Sequence, residues 1–222
     1  MKMKCIMIMG MHRSGTSCMA GVLYHAGLYF GNNFLPPSSK NPKGYFENQD
    51  FWRLHHSILR SVGHPWDDIT PMPQGWEKRL IVRYKKFRLK RLIKKHFGEK
   101  EIFGIKDPTI NLLLPAYLDV LNGLNIEPCF IIMKRDKNAV AGSLSKAEGL
   151  NEDKSLMLRK LYYDSLKGID GYKRIEVQYE LLLQKPESVI SQINRSFQTS
   201  FAYSDNGFID PKMNHAGIYN KG

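Results

Sequence analysis

Residues 10–17 read GMHRSGTS, directly behind the apolar run Cys5-Ile6-Met7-Ile8-Met9 and ahead of a helical pattern. A strand that turns through glycines into a helix N-terminus makes an anion site. Its N–H groups point outward, the helix dipole adds positive potential, and glycine admits close approach of an oxyanion. The spacing Gly10-x4-Gly15 is that of a nucleotide-phosphate loop, but Thr16 stands where a Walker A loop carries its lysine. The cation inside the loop is Arg13 instead. Such a loop suits a phosphate-like ligand and departs from ordinary ATP or GTP hydrolysis with magnesium.

Three further segments place cations and hydroxyls behind apolar runs. Lys106-Asp107-Pro108-Thr109 follows a run at 101–106, and Lys134-Arg135-Asp136 follows one at 128–134 and leads into a helix carrying Ser143. Gln178-Tyr179-Glu180 closes a run at 174–179. With 4–9, these runs read as four parallel strands, the middle two buried on both faces. Helical patterns fill the gaps at about 16–28, 46–61, 76–97, 110–122, 137–149, 152–170 and 186–197. The alternation predicts an α/β three-layer sandwich around a mostly parallel sheet. Ligands of such sheets sit beyond the C-terminal strand ends, at a switch in strand order. All four chemistry-bearing segments fall there.

The chain has 222 residues, enough for one substantial core, so one domain over 1–222 is expected. Apolar content of 42% is that of a soluble protein, and no run reaches the ~18 residues of a membrane span. The first strand begins too early to leave room for a signal peptide. Cys5, Cys18 and Cys129 lack metal-ligand spacing and fall in apolar segments. They read as buried, reduced thiols of a cytoplasmic protein. The net charge of +12 is concentrated: Lys78 to Lys95 holds ten Lys/Arg and no acid, with Leu80, Ile81, Tyr84, Phe87, Leu92 and Ile93 at roughly helical spacing. This segment reads either as a solvated basic face or as a surface for a polyanion, an anionic acceptor, an anionic membrane or nucleic acid. Lying between Glu47 and Lys106 in sequence, it could border an acceptor entrance. No zinc-finger spacing or RNP-type motif marks a specific nucleic-acid module.

These residues resemble the sulfotransferase superfamily, whose co-substrate is 3′-phosphoadenosine 5′-phosphosulfate (PAPS), with PAP as product. Arg13-Ser14-Gly15-Thr16-Ser17 resembles the family's 5′-phosphosulfate loop. Arg135 and Ser143, eight residues apart, resemble its 3′-phosphate motif. Gly44-Tyr45-Phe46-Glu47-Asn48 is similar to a GxxEN element of bacterial members. Lys106-Asp107-Pro108 and Val177-Gln178-Tyr179-Glu180-x-Leu182 are similar to the KDP and VxYExL of the tyrosylprotein branch. The resemblance covers roughly 4–190 and implies a P-loop, nucleotide-kinase-like fold, with about 29–98 inserted on the acceptor side. Two departures stand out. The catalytic histidine of the cytosolic branch has no secure match, His55 and His56 being the nearest, and that branch's glycine-rich C-terminal nucleotide loop is missing.

The resemblance implies sulfuryl transfer from PAPS to a hydroxyl or amine acceptor, a saccharide or small molecule. Sulfuryl transfer is close kin to phosphoryl transfer. Arg13, the loop amides and Lys106 would meet the developing charge without a metal ion. Glu47 would take the acceptor proton, or else serve the helix starting near Phe46. The nucleotide-binding set is Arg13, Ser14, Gly15, Thr16, Ser17, Arg135, Ser143 and Tyr179. Asp107 and Asp136 read as orienting or capping residues. Trp66 with Asp67-Asp68 reads as an acceptor border or a loop plug. Two other classes stay open: a P-loop small-molecule or nucleotide kinase, and a non-catalytic nucleotide- or membrane-surface-binding protein.

Overall fold

The computed structural model describes residues 2–209; the rest of the expected domain, residues 1 and 210–222, lies outside the described residues. In chain order the elements are β1 (Lys4–Met9), α1 (Thr16–His25), α2 (Gln49–Val62) and α3 (Leu80–Phe97), then β2 (Ile102–Lys106) and α4 (Ile110–Gly123). These are followed by β3 (Glu127–Lys134), α5 (Lys137–Glu148), α6 (Glu152–Asp164), β4 (Lys173–Gln178), α7 (Tyr179–Gln184) and α8 (Pro186–Phe197).

The four strands pair in the order β2-β1-β3-β4, and every pair is parallel. Period-2 alternation splits their side chains between two cores. Cys5, Met7 and Met9 of β1 face a core shared with α2 to α6, while Ile6 and Ile8 face one shared with α1, α7 and α8. Phe130 and Ile132 of β3 join the first core, Cys129 and Ile131 the second. Helices on both faces of a parallel sheet make the three layers. Gly104 in β2 is required by packing, since a Cβ there would lie 2.4 Å from the Phe30 ring.

After β1 the chain leaves toward β2, and after β3 it leaves toward β4 on the other side. The switch in strand order therefore lies between β1 and β3. The Arg13 loop and Arg135 follow these two strands. Cys5 and Cys129 are buried and Cys18 partly so, and all three are free thiols. Among the described residues no helix is long and apolar enough to cross a membrane.

The helix expected over 152–170 ends at Asp164 and that over 76–97 begins as α3 at Leu80, and two further changes bear on the site. The helix expected from about 46 begins at Gln49: Phe46 holds φ 56, and Asn48 caps α2 by accepting from the Asp50 N–H at 3.0 Å. Glu47 is thus left outside the helix, free of any capping duty. Tyr179, expected to end a strand, opens the short helix α7.

Candidate functional site

The loop between β1 and α1 is built from alternating backbone hands. Gly10, Arg13 and Gly15 hold φ of 144°, 67° and 93°. Glycine tolerates this freely, whereas Arg13 must be held there by its surroundings. Its Nε donates to Ser143 Oγ at 2.9 Å and its guanidinium to the Lys40 carbonyl at 3.1 Å, while its own carbonyl accepts from the Arg135 guanidinium at 2.9 Å. The Gly10 N–H donates to Asn111 Oδ1 at 3.1 Å, which ties the loop to α4. Ser14 is fully buried, and both its N–H and its hydroxyl donate to the Met11 carbonyl, at 3.1 and 2.6 Å. Its side chain thus closes the turn rather than facing a ligand.

Arg135, Ser143 and Tyr179 converge on this loop from β3, α5 and α7. The Arg135 guanidinium stacks on the Tyr179 ring at 4.5 Å, and the same ring lies on Gly15, where a Cβ would meet it at 2.3 Å. Around them opens a cleft of about 810 Å³, its mouth included. Arg13, Thr16, Ser17, Arg135, Ser143 and Tyr179 all line it. So do Lys40, Lys43, Phe208 and Ile209, residues that the sequence reading passed over. Among the described residues no acidic side chain lines it. The cleft has the charge for an anion. The C-terminal stretch closes it on one side: Lys43 Nζ donates to the Gly207 and Phe208 carbonyls, and the Phe208 ring packs on His25 and Phe46.

Beside the loop lies a second cluster. Lys106 ends β2 and is 4% exposed; its Nζ donates to Glu47 Oε1 at 2.6 Å and to Ser17 Oγ at 2.9 Å. Ser17, in the first turn of α1, thus joins the two clusters. Burial raises the Glu47 pKa from 4.5 to about 7, although Lys106 pulls the other way. A carboxyl titrating near 7 can hold or take a proton at working pH.

The remaining candidates are placed just as definitely. His55 is fully buried and both ring nitrogens are engaged, Nδ1 with Asp107 Oδ2 at 2.7 Å and Nε2 with the Tyr117 hydroxyl at 2.6 Å. His55 therefore drops out as an alternative base, whereas His56 is half-buried against Trp52. Asp107 also accepts from the Thr109 N–H and hydroxyl at 2.8 and 2.7 Å. Burial raises its pKa, but His55 and Thr109 outweigh burial and hold it below the ordinary carboxylate range. Asp136 caps α5 through the Ala139 N–H at 2.9 Å. Asp67 pairs with Lys154 at 2.8 Å and Asp68 accepts from Thr70, so both acids serve the loop. Trp66 lies on the His12 ring, centroids 4.6 Å apart. The basic helix α3 reaches Glu47's neighbourhood only at its C-terminal end, where His96 meets Asp50 at 3.0 Å.

Asp107→Ala should destabilise the protein by about 3–5 kcal/mol, because it strands buried His55 without its partner. Chemical denaturation at neutral pH measures this. Because Asp107's folded pKa is depressed, its contribution is present above its unfolded pKa and is lost as pH falls through the folded one. The difference between the two proteins should therefore shrink in acid.

Sequence reasoning missed His12, whose Nε2 is enclosed without a hydrogen-bond partner among the described residues. It also missed Asn111, a lone amide in the apolar stretch Ile110-Asn111-Leu112, and that isolation was the available signal.

No protein-family model and no curated protein sequence matches the chain. Solved structures do. The sulfotransferase domain of the Synechococcus PCC 7002 olefin synthase is similar at a TM-score of 0.56 and 16% identity, over 96% of this chain and 83% of that one. Sulfotransferase STF1 from Mycobacterium tuberculosis H37Rv is similar at 0.52 and 13%, over 91% and 69%. A sugar kinase from Janibacter sp. HTCC2649 is similar at 0.52 and 16%, over 88% and 95%. At these identities the likeness concerns the fold, and the chain has the P-loop-like α/β fold found in sulfotransferase domains.

Proposed function

We propose that the chain is a PAPS-dependent sulfotransferase acting on a hydroxyl or amine acceptor. The observation that carries the reading is the union of Arg13, Ser143, Arg135 and Tyr179 around one acid-free cleft, with the Lys106–Glu47 pair reached through Ser17. The co-substrate supplies an activated sulfuryl group on a 5′-phosphate and a second phosphate at the 3′ position. Loop N–H groups and Arg13 would hold the first phosphate, Arg135 and Ser143 the second. Tyr179, Leu183, Phe208 and Ile209 offer the apolar walls that a purine base requires. Glu47, ionised, takes the acceptor proton at its carboxylate, while Lys106 stays beside it to oppose negative charge. The acceptor reading is a saccharide or small molecule.

The likeness to a sugar kinase keeps phosphoryl transfer as the second reading. Thermal denaturation with PAP and with ATP–magnesium separates the two. A ligand at about 100 times its Kd stabilises by about 2.7 kcal/mol, so PAP should shift the midpoint and ATP–magnesium should not. Arg135→Ala should weaken PAPS binding by about 1.5–3 kcal/mol, as for a lost charged hydrogen bond. Adenosine phosphosulfate, which lacks the 3′-phosphate, should lose far less affinity. Equal losses for both ligands would remove Arg135 from the 3′-phosphate.

A further inference from the structure

We infer that the N-terminal half of α3 is a seat for an anionic lipid surface, independent of the chemistry proposed above. The helix is amphipathic twice over. Its inner stripe, Val82, Lys85, Leu89, Ile93 and Phe97, is buried against the protein. Its outer face carries a second apolar stripe: Leu80 is 80% exposed, Tyr84 62%, Phe87 57% and, beside them, Ile81 46%. Residues 80, 84 and 87 stand at i, i+4 and i+7, so they form one line along the helix. Among the described residues seven large hydrophobic side chains are exposed, and four of them fall in these eight positions. That concentration is not the scatter of single apolar residues usual on a soluble surface.

The charges frame the stripe. At 100° per residue, Arg91 continues the line, Arg83 and Lys94 flank it on one side, and Arg88 and Lys95 on the other. All five are exposed, and none forms an ion pair among the described residues. An apolar stripe bordered by unpaired cations is the pattern of a helix lying in a bilayer interface: aromatic and aliphatic groups enter the acyl boundary while arginines meet phosphate headgroups. A nucleic-acid duplex, its bases already stacked, would satisfy the cations but leave Leu80, Tyr84 and Phe87 in water. A second copy of the chain would bring like charges together.

The orientation fits such a seat. α3 runs antiparallel to α2: His96 meets Asp50, Lys85 Nζ donates to Ser57 Oγ, and Arg79 reaches the Val62 carbonyl. The exposed stripe therefore lies at the Val62 end of α2, roughly 15–20 Å along that helix from the end next to Glu47.

Vesicle co-sedimentation of the full chain tests the inference. The wild-type protein should sediment with vesicles of equimolar phosphatidylcholine and phosphatidylglycerol, should stay in solution with phosphatidylcholine alone, and should be released by high salt. The surface variant Leu80→Ser/Tyr84→Ser/Phe87→Ser should lose about 100-fold in partition, and Arg88→Gln/Arg91→Gln about 30-fold. Melting curves of both variants should match the wild type, because the replaced side chains face solvent. No sedimentation of the wild type with the anionic vesicles would overturn the inference without any appeal to variants. So would unimpaired binding by the serine variant, which would mark simple polyanion adsorption. A stripe-dependent dimer in the absence of vesicles would assign the face to self-association and overturn it as well.

Discussion

Glu47→Gln is expected to lower sulfuryl-transfer turnover by about 10²–10⁴, the usual worth of a positioned general base. Glutamine keeps the side chain's shape and can still accept from Lys106, so the fold and PAP affinity should be nearly unchanged. The pH profile adds a second signature. Because burial raises the Glu47 pKa to about 7, wild-type turnover should climb as pH rises through that value. The variant's residual turnover should lack that limb. Stability runs the opposite way. Glu47 binds its proton more tightly folded than unfolded, so its contribution is complete below its unfolded pKa and is lost as pH rises through about 7. The variant should escape this loss, so the stability difference between the two proteins should move in the variant's favour as pH rises through about 7, whatever fixed cost it carries for leaving buried Lys106 without its counter-charge. Steady-state rates and denaturation curves across that range check both statements. Near-normal turnover in Glu47→Gln would move the base to His56, because both ring nitrogens of His55 are already engaged.

How far these side chains could be foreseen follows from what local sequence encodes. The strands were legible because apolar runs of five to eight residues, bounded by turns, have few other uses in an α/β chain. The loop was legible because its glycines are tied to backbone hand, as at Gly10 and Gly15. The outward face of α3 was not. Leu80, Tyr84 and Phe87 follow the same period as a core stripe, and only the packing of Val82, Leu89 and Ile93 against the protein decides which stripe is inside. Nor was the boundary at Glu47 legible: periodicity carries a helix back to Phe46, but that residue's positive φ and the Asn48 cap move its start. The Lys40, Lys43, Phe208 and Ile209 walls come from segments far apart in sequence that meet only over the cleft. No local pattern marks such a meeting. His55 reads as a candidate base until Asp107 and Tyr117, distant in sequence, are seen to occupy it.

Lys106→Met should cut turnover by about 10²–10³, comparable to loss of an electrostatic stabiliser at a developing charge. Lys106 reaches both Ser17, at the start of the anion loop's helix, and Glu47, so its removal leaves two groups without their cation. Glu47 would respond by protonating. Lys106 is what pulls its pKa down, and without it burial alone acts, so the pKa should rise above its present value near 7. Two consequences follow. The alkaline-rising limb of turnover should move to higher pH. The stability lost through the substitution should be small in acid, where Glu47 is neutral in both proteins. It should grow with pH toward the about 3–5 kcal/mol expected when a buried pair loses one member. The double variant Glu47→Gln/Lys106→Met separates the structural from the chemical role of the lysine. With no buried carboxylate left to compensate, it should regain most of the stability lost in alkali, yet its turnover should stay at or below that of Glu47→Gln. If turnover in the double variant instead returned to wild-type values along with stability, Lys106 and Glu47 would be a fold-holding pair, and the proton and charge handling would have to be sought at His56 and Arg13.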